Sequence, residues 1–166
     1  MKNSNCIAVS AHIIRKTMEQ NRNILAGKVF HSLRGGWRFE RNIAGHGRMN
    51  GCAEFAQMSD EDLSYAENGV HELPGGEKLG FFQKYIYRLN EGNLLAYFAD
   101  LRPFHALCLY PDGGILKAAA MHLCGADQYR GEYIFHDNNN FLLKWDVKGP
   151  KKNYVIETRY KRQGLC

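Results

Sequence analysis

The chain has 166 residues, of which 45% are hydrophobic and 23% charged, and its formal net charge is +5. This length fits one domain with a short extension, and the apolar content is enough for a real core, which excludes disorder over most of the chain. No apolar run approaches the roughly eighteen residues of a membrane span.

The N-terminal segment and the cysteines bear on the cellular compartment. Residues 6–14 are apolar, but Arg15 and Lys16 follow at once without a small-residue cleavage pattern, so we predict no secretory signal. The cysteines are scattered, odd in number and free of Cys-x-x-Cys spacing, at Cys6, Cys52, Cys108, Cys124 and Cys166. This pattern predicts reduced thiols and a cytoplasmic protein rather than a disulfide framework.

Positive charge is concentrated between Lys148 and Arg162, where Glu157 is the single acidic residue after Asp146. The basic residues are Lys148, Lys151, Lys152, Arg159, Lys161 and Arg162. They could face phosphate, nucleic acid, a membrane surface or a partner protein. A solvated hairpin whose lysines discourage edge pairing is the favoured interpretation, because the segment carries no nucleic-acid motif.

One helix is predicted, within residues 17–34. Thr17 and Gln20 have the spacing of an N-terminal capping box, and Gly35 and Gly36 are suited to stop the helix. Residues before Thr17 show no clear periodicity. We therefore divide the chain into a partly helical extension, 1–28, and a second domain, 29–166.

Short runs rich in Val, Ile, Tyr, Phe and Trp then alternate with Gly, Asn, Asp and Pro, which is typical of many short strands joined by turns. Ten strands are predicted, at 37–43, 52–58, 63–72, 81–89, 93–100, 104–110, 115–124, 129–136, 141–147 and 154–161. A meander of this length has two edges, and closure removes them. The predicted fold is therefore all-β: an antiparallel up-and-down barrel of about eight to ten strands with an N-terminal helix.

A barrel of this size can hold a small ligand, and several positions that could face inward are polar. They are Tyr65, Glu67, Tyr85, Tyr87, His105 and His122. Arg88 could pair with Glu67 or with a ligand carboxylate, although alternation allows only one of Tyr87 and Arg88 to face inward.

The stretch from His122 to Tyr133 is rich in residues that bind metals, move protons or hold polar ligands. His122 and Cys124 share one strand face, and Asp127 and Tyr129 follow a bend. The stretch indicates either a site inside the barrel or an ordinary turn in which Asp caps amides and His and Cys pack.

Two resemblances follow from these residues. A Trp after Gly at the first strand, Trp37, and an Arg in the last, Arg159 or Arg162, resemble lipocalin-type barrels, in which the Arg packs across the indole. Over residues 30–162 the chain is also similar to an uncharacterised lipocalin-like (calycin-type) family. The matching pieces are 33–43, 51–55, 65–69, 102–105, 122–129, 145–154 and 158–162. This resemblance implies a small ligand-holding barrel without supplying a ligand or a cofactor.

Two kinds of chemistry are open besides binding without a reaction. His105, His122, Cys124 and Asp127 are zinc-type ligands, but no usual zinc spacing appears, so no metal is predicted, and haem has no independent signal. His105 and His122 could form an acid–base pair of an isomerase or hydrolase, with Tyr129 or Tyr133 as the acid and Cys124 as a nucleophile.

The leading prediction is binding of a small, partly apolar ligand, without nucleic acid and without a membrane span. The predicted ligand-binding residues are Tyr65, Glu67, Tyr85, Tyr87, His105, His122, Cys124, Tyr129 and Trp145. The predicted structural residues are Trp37, Arg159, Asp127, Gly149 and Pro150.

Overall fold

The computed structural model of the protein describes the backbone of residues 4–164 and the side chains of residues 15–164. One helix, α1 (Ser4–Leu33), precedes ten strands. The strands are β1 (Gly35–Ile43), β2 (Gly47–Gln57), β3 (Asp62–Glu72), β4 (Lys78–Asn90), β5 (Asn93–Phe98), β6 (Pro103–Asp112), β7 (Ile115–Cys124), β8 (Asp127–Asp137), β9 (Asn140–Gly149) and β10 (Lys152–Arg162).

The strands form a closed barrel. Each strand pairs antiparallel with the next in sequence, and β1 pairs with β10 to complete the ring. The predicted up-and-down barrel with an N-terminal helix is confirmed. The largest difference in a strand boundary is at β2, which begins at Gly47 instead of residue 52. Gly45 and Gly47 both have positive φ, so the turn is complete by Gly47 and pairing with β1 starts there.

The helix is longer than predicted. It begins at Ser4, so Thr17 lies inside it and the predicted cap at Thr17 is wrong. Residues 15–24 are exposed, and among the described side chains of the helix, residues 15–33, the buried ones begin at Ala26, which explains why this part of the helix lacks a regular apolar stripe. The helix ends at Leu33, ahead of Gly35 with its φ of 107°, as predicted. It passes residue 28 without a break, and the domain division there stays a prediction.

The C-terminal part of α1 closes one end of the barrel. Val29, Phe30 and Leu33 are buried in the same core as Trp37, whose Nε1 donates a hydrogen bond to the Leu33 carbonyl at 2.7 Å. The Arg162 guanidinium lies 4.3 Å from the Trp37 ring centroid. A cation–π contact of this kind typically contributes about 0.5–2 kcal/mol.

Arg162, and not Arg159, therefore makes the predicted contact with the indole. Arg162 also donates hydrogen bonds to the carbonyls of Arg34 and Ser32. Arg159 lies on the opposite strand face, is largely exposed and pairs with Glu157. The structure therefore corrects the structural role predicted for Arg159. Side chains alternate along β10, and only every second one points into the barrel.

The cysteines differ from the prediction. Cys52 is disulfide-bonded, so the expectation of reduced thiols throughout is wrong at this position. Cys108 and Cys124 are free and exposed. The side chains of Cys6 and Cys166 lie outside the described residues. Within residues 4–164, no helix is both long and apolar enough to cross a membrane.

Candidate functional site

The barrel contains a cavity of about 370 Å³ at the end away from α1. Ile43, Phe98 and Cys124 mark this end, because each lies on the cavity wall and is the last residue of an odd-numbered strand. The cavity is lined by Arg41, Ile43, Met49, Tyr65, Glu67, Tyr85, Tyr87, Phe98, Phe104, His122, Cys124, Tyr129, Tyr133, Leu143, Trp145, Ile156, Thr158 and Tyr160. A second concavity lies on the outer face of β1, β2 and β10 and contains none of the predicted ligand-binding residues.

Most predicted ligand-binding residues meet on the wall of this cavity. They are Tyr65, Glu67, Tyr85, Tyr87, His122, Cys124, Tyr129 and Trp145. They converge because strand alternation places residues two apart on the same face and closure turns that face inward. His105 is the exception: it is buried in the wall but does not line the cavity.

A buried ion pair lies on the wall of the cavity. Arg41 donates two hydrogen bonds to the Glu67 carboxylate, at 2.9 and 2.8 Å, and a third from Nε to Thr158 Oγ1 at 2.9 Å. Tyr65 donates its hydroxyl proton to Glu67, so Tyr160 must donate in its 3.1 Å contact with the Tyr65 hydroxyl. The two charges neutralise each other and their polar atoms are well satisfied.

The electrostatics keep Arg41 charged. Burial disfavours the guanidinium charge, but Tyr160 and Glu67 raise the pKa of Arg41 above its usual value. Burial also raises the pKa of Tyr85, to about 12, and that of Tyr87. These phenols therefore remain protonated, and the charges of Arg41 and Glu67 on the wall are paired with each other.

Arg41 was missed by the sequence analysis, which considered Arg88 as the partner of Glu67. Arg88 instead points outward and pairs with Asp62 at 2.7 Å, while its neighbour Tyr87 faces inward. The alternation of side chains along β1 could have identified Arg41 as an inward-facing residue, because residues 37, 39 and 41 share one strand face with Trp37.

His105 belongs to a second buried network. Its Nε2 lies 3.0 Å from the Tyr133 hydroxyl, which in turn lies 3.4 Å from the Tyr87 hydroxyl. Burial, with a smaller contribution from His122, lowers the pKa of His105 to about 3. His105 is therefore neutral at physiological pH. Of the two histidines proposed as an acid–base pair, only His122 reaches the cavity.

We expect His105 to make stability depend on pH. Its folded pKa of about 3 lies below the usual 6.5, so between these values the unfolded chain binds more protons and acid favours unfolding. Stability present above pH 6.5 is lost as pH falls towards 3, by about 2 kcal/mol between pH 7 and 5.

The measurement is urea unfolding at pH 7 and pH 5, comparing the wild type with His105→Gln. The difference between the two proteins isolates this group from the other titrating residues. An equal pH dependence in both would contradict the assignment.

His122 has a defined tautomer. Its Nδ1 lies 2.9 Å from the Phe104 carbonyl, and because a carbonyl oxygen only accepts, Nδ1 carries the proton. Nε2 of the neutral ring is then an acceptor. The ring packs edge-on against Phe98 and Phe104, which holds its orientation on the wall.

An ion pair between strands forms part of the rim. Lys152 Nζ lies 2.7 Å from the Asp127 carboxylate and donates to the Tyr129 hydroxyl at 2.9 Å. These two hydrogen bonds, the one to Asp127 foremost, raise the pKa of Lys152. A Cβ on Gly149 would lie 1.8 Å from Asp127 Oδ1, so any larger residue here would displace the Asp127 carboxylate. Pro150 follows in the turn between β9 and β10.

Much of the basic C-terminal segment is engaged in internal contacts. Lys148 pairs with Asp146, Lys152 with Asp127 and Arg159 with Glu157, while Arg162 packs on Trp37. This arrangement favours the interpretation of a solvated hairpin over that of a concentrated anion-binding patch.

His105, His122, Cys124 and Asp127 were considered as zinc-type ligands, although no metal was predicted. Among the described residues, no group of three or more His, Cys, Asp or Glu side chains could hold a metal ion.

The closed ten-stranded antiparallel barrel, with a helix across one end and a cavity at the other, defines a lipocalin-like barrel. The chain belongs to DUF6314, a family of unknown function, whose model matches residues 33–162. This match runs from the last residue of α1 to the last residue of β10. No curated protein matches the sequence.

Solved structures are similar to the chain at low sequence identity. The S-type phycobiliprotein lyase CPES from Guillardia theta is 12% identical, with 84% of this chain and 93% of that one covered and a TM-score of 0.60. The redesigned barrel mFAP1 bound to DFHBI is 11% identical over 80% and 97%, with a TM-score of 0.44. A mutant of the fluorescent protein UnaG is 10% identical over 81% and 99%, with a TM-score of 0.37.

Proposed function

We propose that the protein binds a small, partly apolar molecule inside the barrel. The observation that carries this proposal is the 370 Å³ cavity, whose walls are mainly aromatic and aliphatic with a few polar groups. A dry apolar cavity of about 150 Å³ binds benzene, so this one suits a molecule of about two rings. A structural core without a ligand would fill such a space with side chains.

The ligand is uncharged or nearly so. Arg41 and Glu67 are already paired with each other, and the phenols on the wall remain protonated. A ligand charge buried here would have no free partner at neutral pH, which costs several kcal/mol. Apolar contact with the aromatic wall supplies most of the affinity, and the polar groups orient the ligand.

The acid–base alternative has no comparable support. His105 lies outside the cavity and is neutral, so His122 would have to act without it. A protein-interaction role for the basic hairpin has no specific observation in its favour either, because three of its six basic residues are paired with carboxylates and Arg162 packs on Trp37. Cytoplasmic location stays a prediction.

A block at the mouth tests the proposal. Cys124 lines the cavity at the end of β7 and is exposed, so Cys124→Trp should obstruct entry at little cost in stability. We expect the affinity for the neutral fluorescent probe N-phenyl-1-naphthylamine to fall at least about tenfold, or about 1.4 kcal/mol. The readout is the rise in probe fluorescence on titration.

The matched control is Cys108→Trp. Cys108 is also a free, exposed cysteine, but it lies outside the cavity. This variant should bind the probe as the wild type does. Failure of the wild type to bind the probe, or equal losses in both variants, would count against binding inside the barrel.

A further inference from the structure

Two ring nitrogens on the cavity wall have no hydrogen-bond partner within the described chain. One is Nε2 of His122, and the other is the indole Nε1 of Trp145. His105 Nδ1 is the one fully buried side-chain nitrogen or oxygen without a partner in the described part of the chain. Trp145 Nε1 also has no partner but is not fully buried, so it keeps some open surface. Because Trp145 lines the cavity, the ligand can reach this atom, although the residue as a whole is only 7% exposed. Buried tryptophan N–H groups usually find a partner, and here the ligand is the available one.

The two atoms differ in character. His122 Nε2 is an acceptor, because the proton of the neutral ring is on Nδ1, facing the Phe104 carbonyl. Trp145 Nε1 can only donate. A ligand that satisfies both must offer one donor and one acceptor.

The two rings lie on the same part of the wall. His122 and Trp145 both contact Phe104, with ring centroids 4.7 and 6.0 Å away, and both lie near Tyr129, at 5.8 and 6.5 Å. Both rings therefore lie around Phe104 and Tyr129, on one part of the cavity wall.

Gly131 makes room for the indole at this position. A Cβ on Gly131 would lie 2.6 Å from Cζ3 of Trp145, so the indole lies directly over the glycine backbone of β8. The tertiary structure thus accommodates this ring in a defined orientation, which is what a directional hydrogen bond to a ligand requires.

We propose that the ligand is a flat, neutral, conjugated molecule with a lactam or cis-amide edge. Its N–H donates to His122 Nε2 and its carbonyl accepts from Trp145 Nε1, while its rings pack on the aromatic wall. This inference rests on the proposed function and names the chemical class for the same cavity. An ionised carboxylate offers two acceptors and no donor, and so cannot donate to His122 Nε2 as the lactam N–H does.

Four two-ring probes of similar size test whether the cavity prefers a lactam edge. They are 2-quinolone, which has the lactam edge, N-methyl-2-quinolone, which lacks its donor, naphthalene, which has neither group, and 2-naphthoate, which is anionic. Affinity is measured by displacement of N-phenyl-1-naphthylamine. We expect 2-quinolone to bind at least about tenfold more tightly than each of the others, as expected when a buried polar group is left unpaired.

Substitutions assign that preference to the two residues. Trp145→Phe and His122→Phe should each reduce the preference for 2-quinolone over N-methyl-2-quinolone to less than about threefold. His136→Phe is the matched control, because His136 is exposed and does not line the cavity. It should keep the full preference. Thermal unfolding of each variant shows whether the barrel is intact.

The outcomes separate the two proposals. Equal affinity for 2-quinolone and N-methyl-2-quinolone, tighter binding of 2-naphthoate, or a preference that survives both substitutions overturns the lactam edge but leaves ligand binding in place. The same holds if N-phenyl-1-naphthylamine binds and no two-ring probe displaces it. Absence of binding by N-phenyl-1-naphthylamine and by all four probes overturns both.

Discussion

Replacing Arg41 with methionine is expected to lower the free energy of unfolding by about 3–5 kcal/mol. The substitution keeps much of the side-chain volume but removes the positive charge opposite Glu67, a residue only 3% exposed. Glu67 would lose both hydrogen bonds from the guanidinium and keep only the one from Tyr65. An uncompensated buried carboxylate is strongly destabilising because neither water nor a cation replaces the lost partner. Urea unfolding at pH 7 measures the loss.

Two further variants sharpen this test. Arg88→Met breaks the pair with Asp62, in which the Arg88 side chain is 43% exposed, and should cost less than about 1 kcal/mol. The double variant Arg41→Met, Glu67→Leu removes both charges from the core and should recover most of the stability. A loss in Arg41→Met no larger than that in Arg88→Met would mean that Glu67 is not shielded from water as the structure places it.

Replacing Gly51 with alanine is expected to cost about 3 kcal/mol. Gly51 and Gly69 are direct partners across β2 and β3. A Cβ on Gly51 would lie 2.0 Å from the backbone oxygen of Asn68 and 2.7 Å from the Cα of Gly69. These are backbone atoms, so relief requires a shift of the whole strand rather than a change of rotamer. Chemical denaturation measures the change in stability.

Gly80→Ala is the matched control. Gly80 lies on the next strand, β4, as the partner of Val70, and a Cβ there would have nothing within 4 Å. Its substitution should be neutral within about 0.5 kcal/mol or slightly stabilising, because glycine weakens a strand interior. Similar losses at Gly51 and Gly80 would show that the cost comes from strand propensity and not from the close approach of β2 and β3.

The strands could be predicted well because the information is local. β7 was predicted to the residue, as Ile115–Cys124, because an apolar run is bounded by Gly113 and Gly114 on one side and Gly125 on the other. The start of the helix could not be predicted in this way, because the part of the helix that packs on the barrel is short. Most of its described side chains face solvent, and such a segment leaves no apolar stripe to read.

The cavity residues were partly predictable for the same reason. Tyr85 and Tyr87 are two apart, so a strand must place them on one face, and closure brought that face inward. Arg41 and Arg159 show the limit of this argument. The spacing of residues along a strand shows which side chains share a face, but not which face is inside. A shift of the strand by one residue exchanges the two faces. Arg41 was therefore missed, and Arg159 was considered alongside Arg162 for a position that only Arg162 occupies.

Turn residues and alternation were sufficient to establish an all-β barrel and to place its polar residues on a few shared faces, because both depend on neighbours along the chain. The pairing of Glu67 with Arg41, the unpaired Nε2 of His122 and the open Nε1 of Trp145 were decided only by the closed barrel. These features join residues on different strands, 26 positions apart for the ion pair, and their distances exist only once the strands have paired and curved into the barrel.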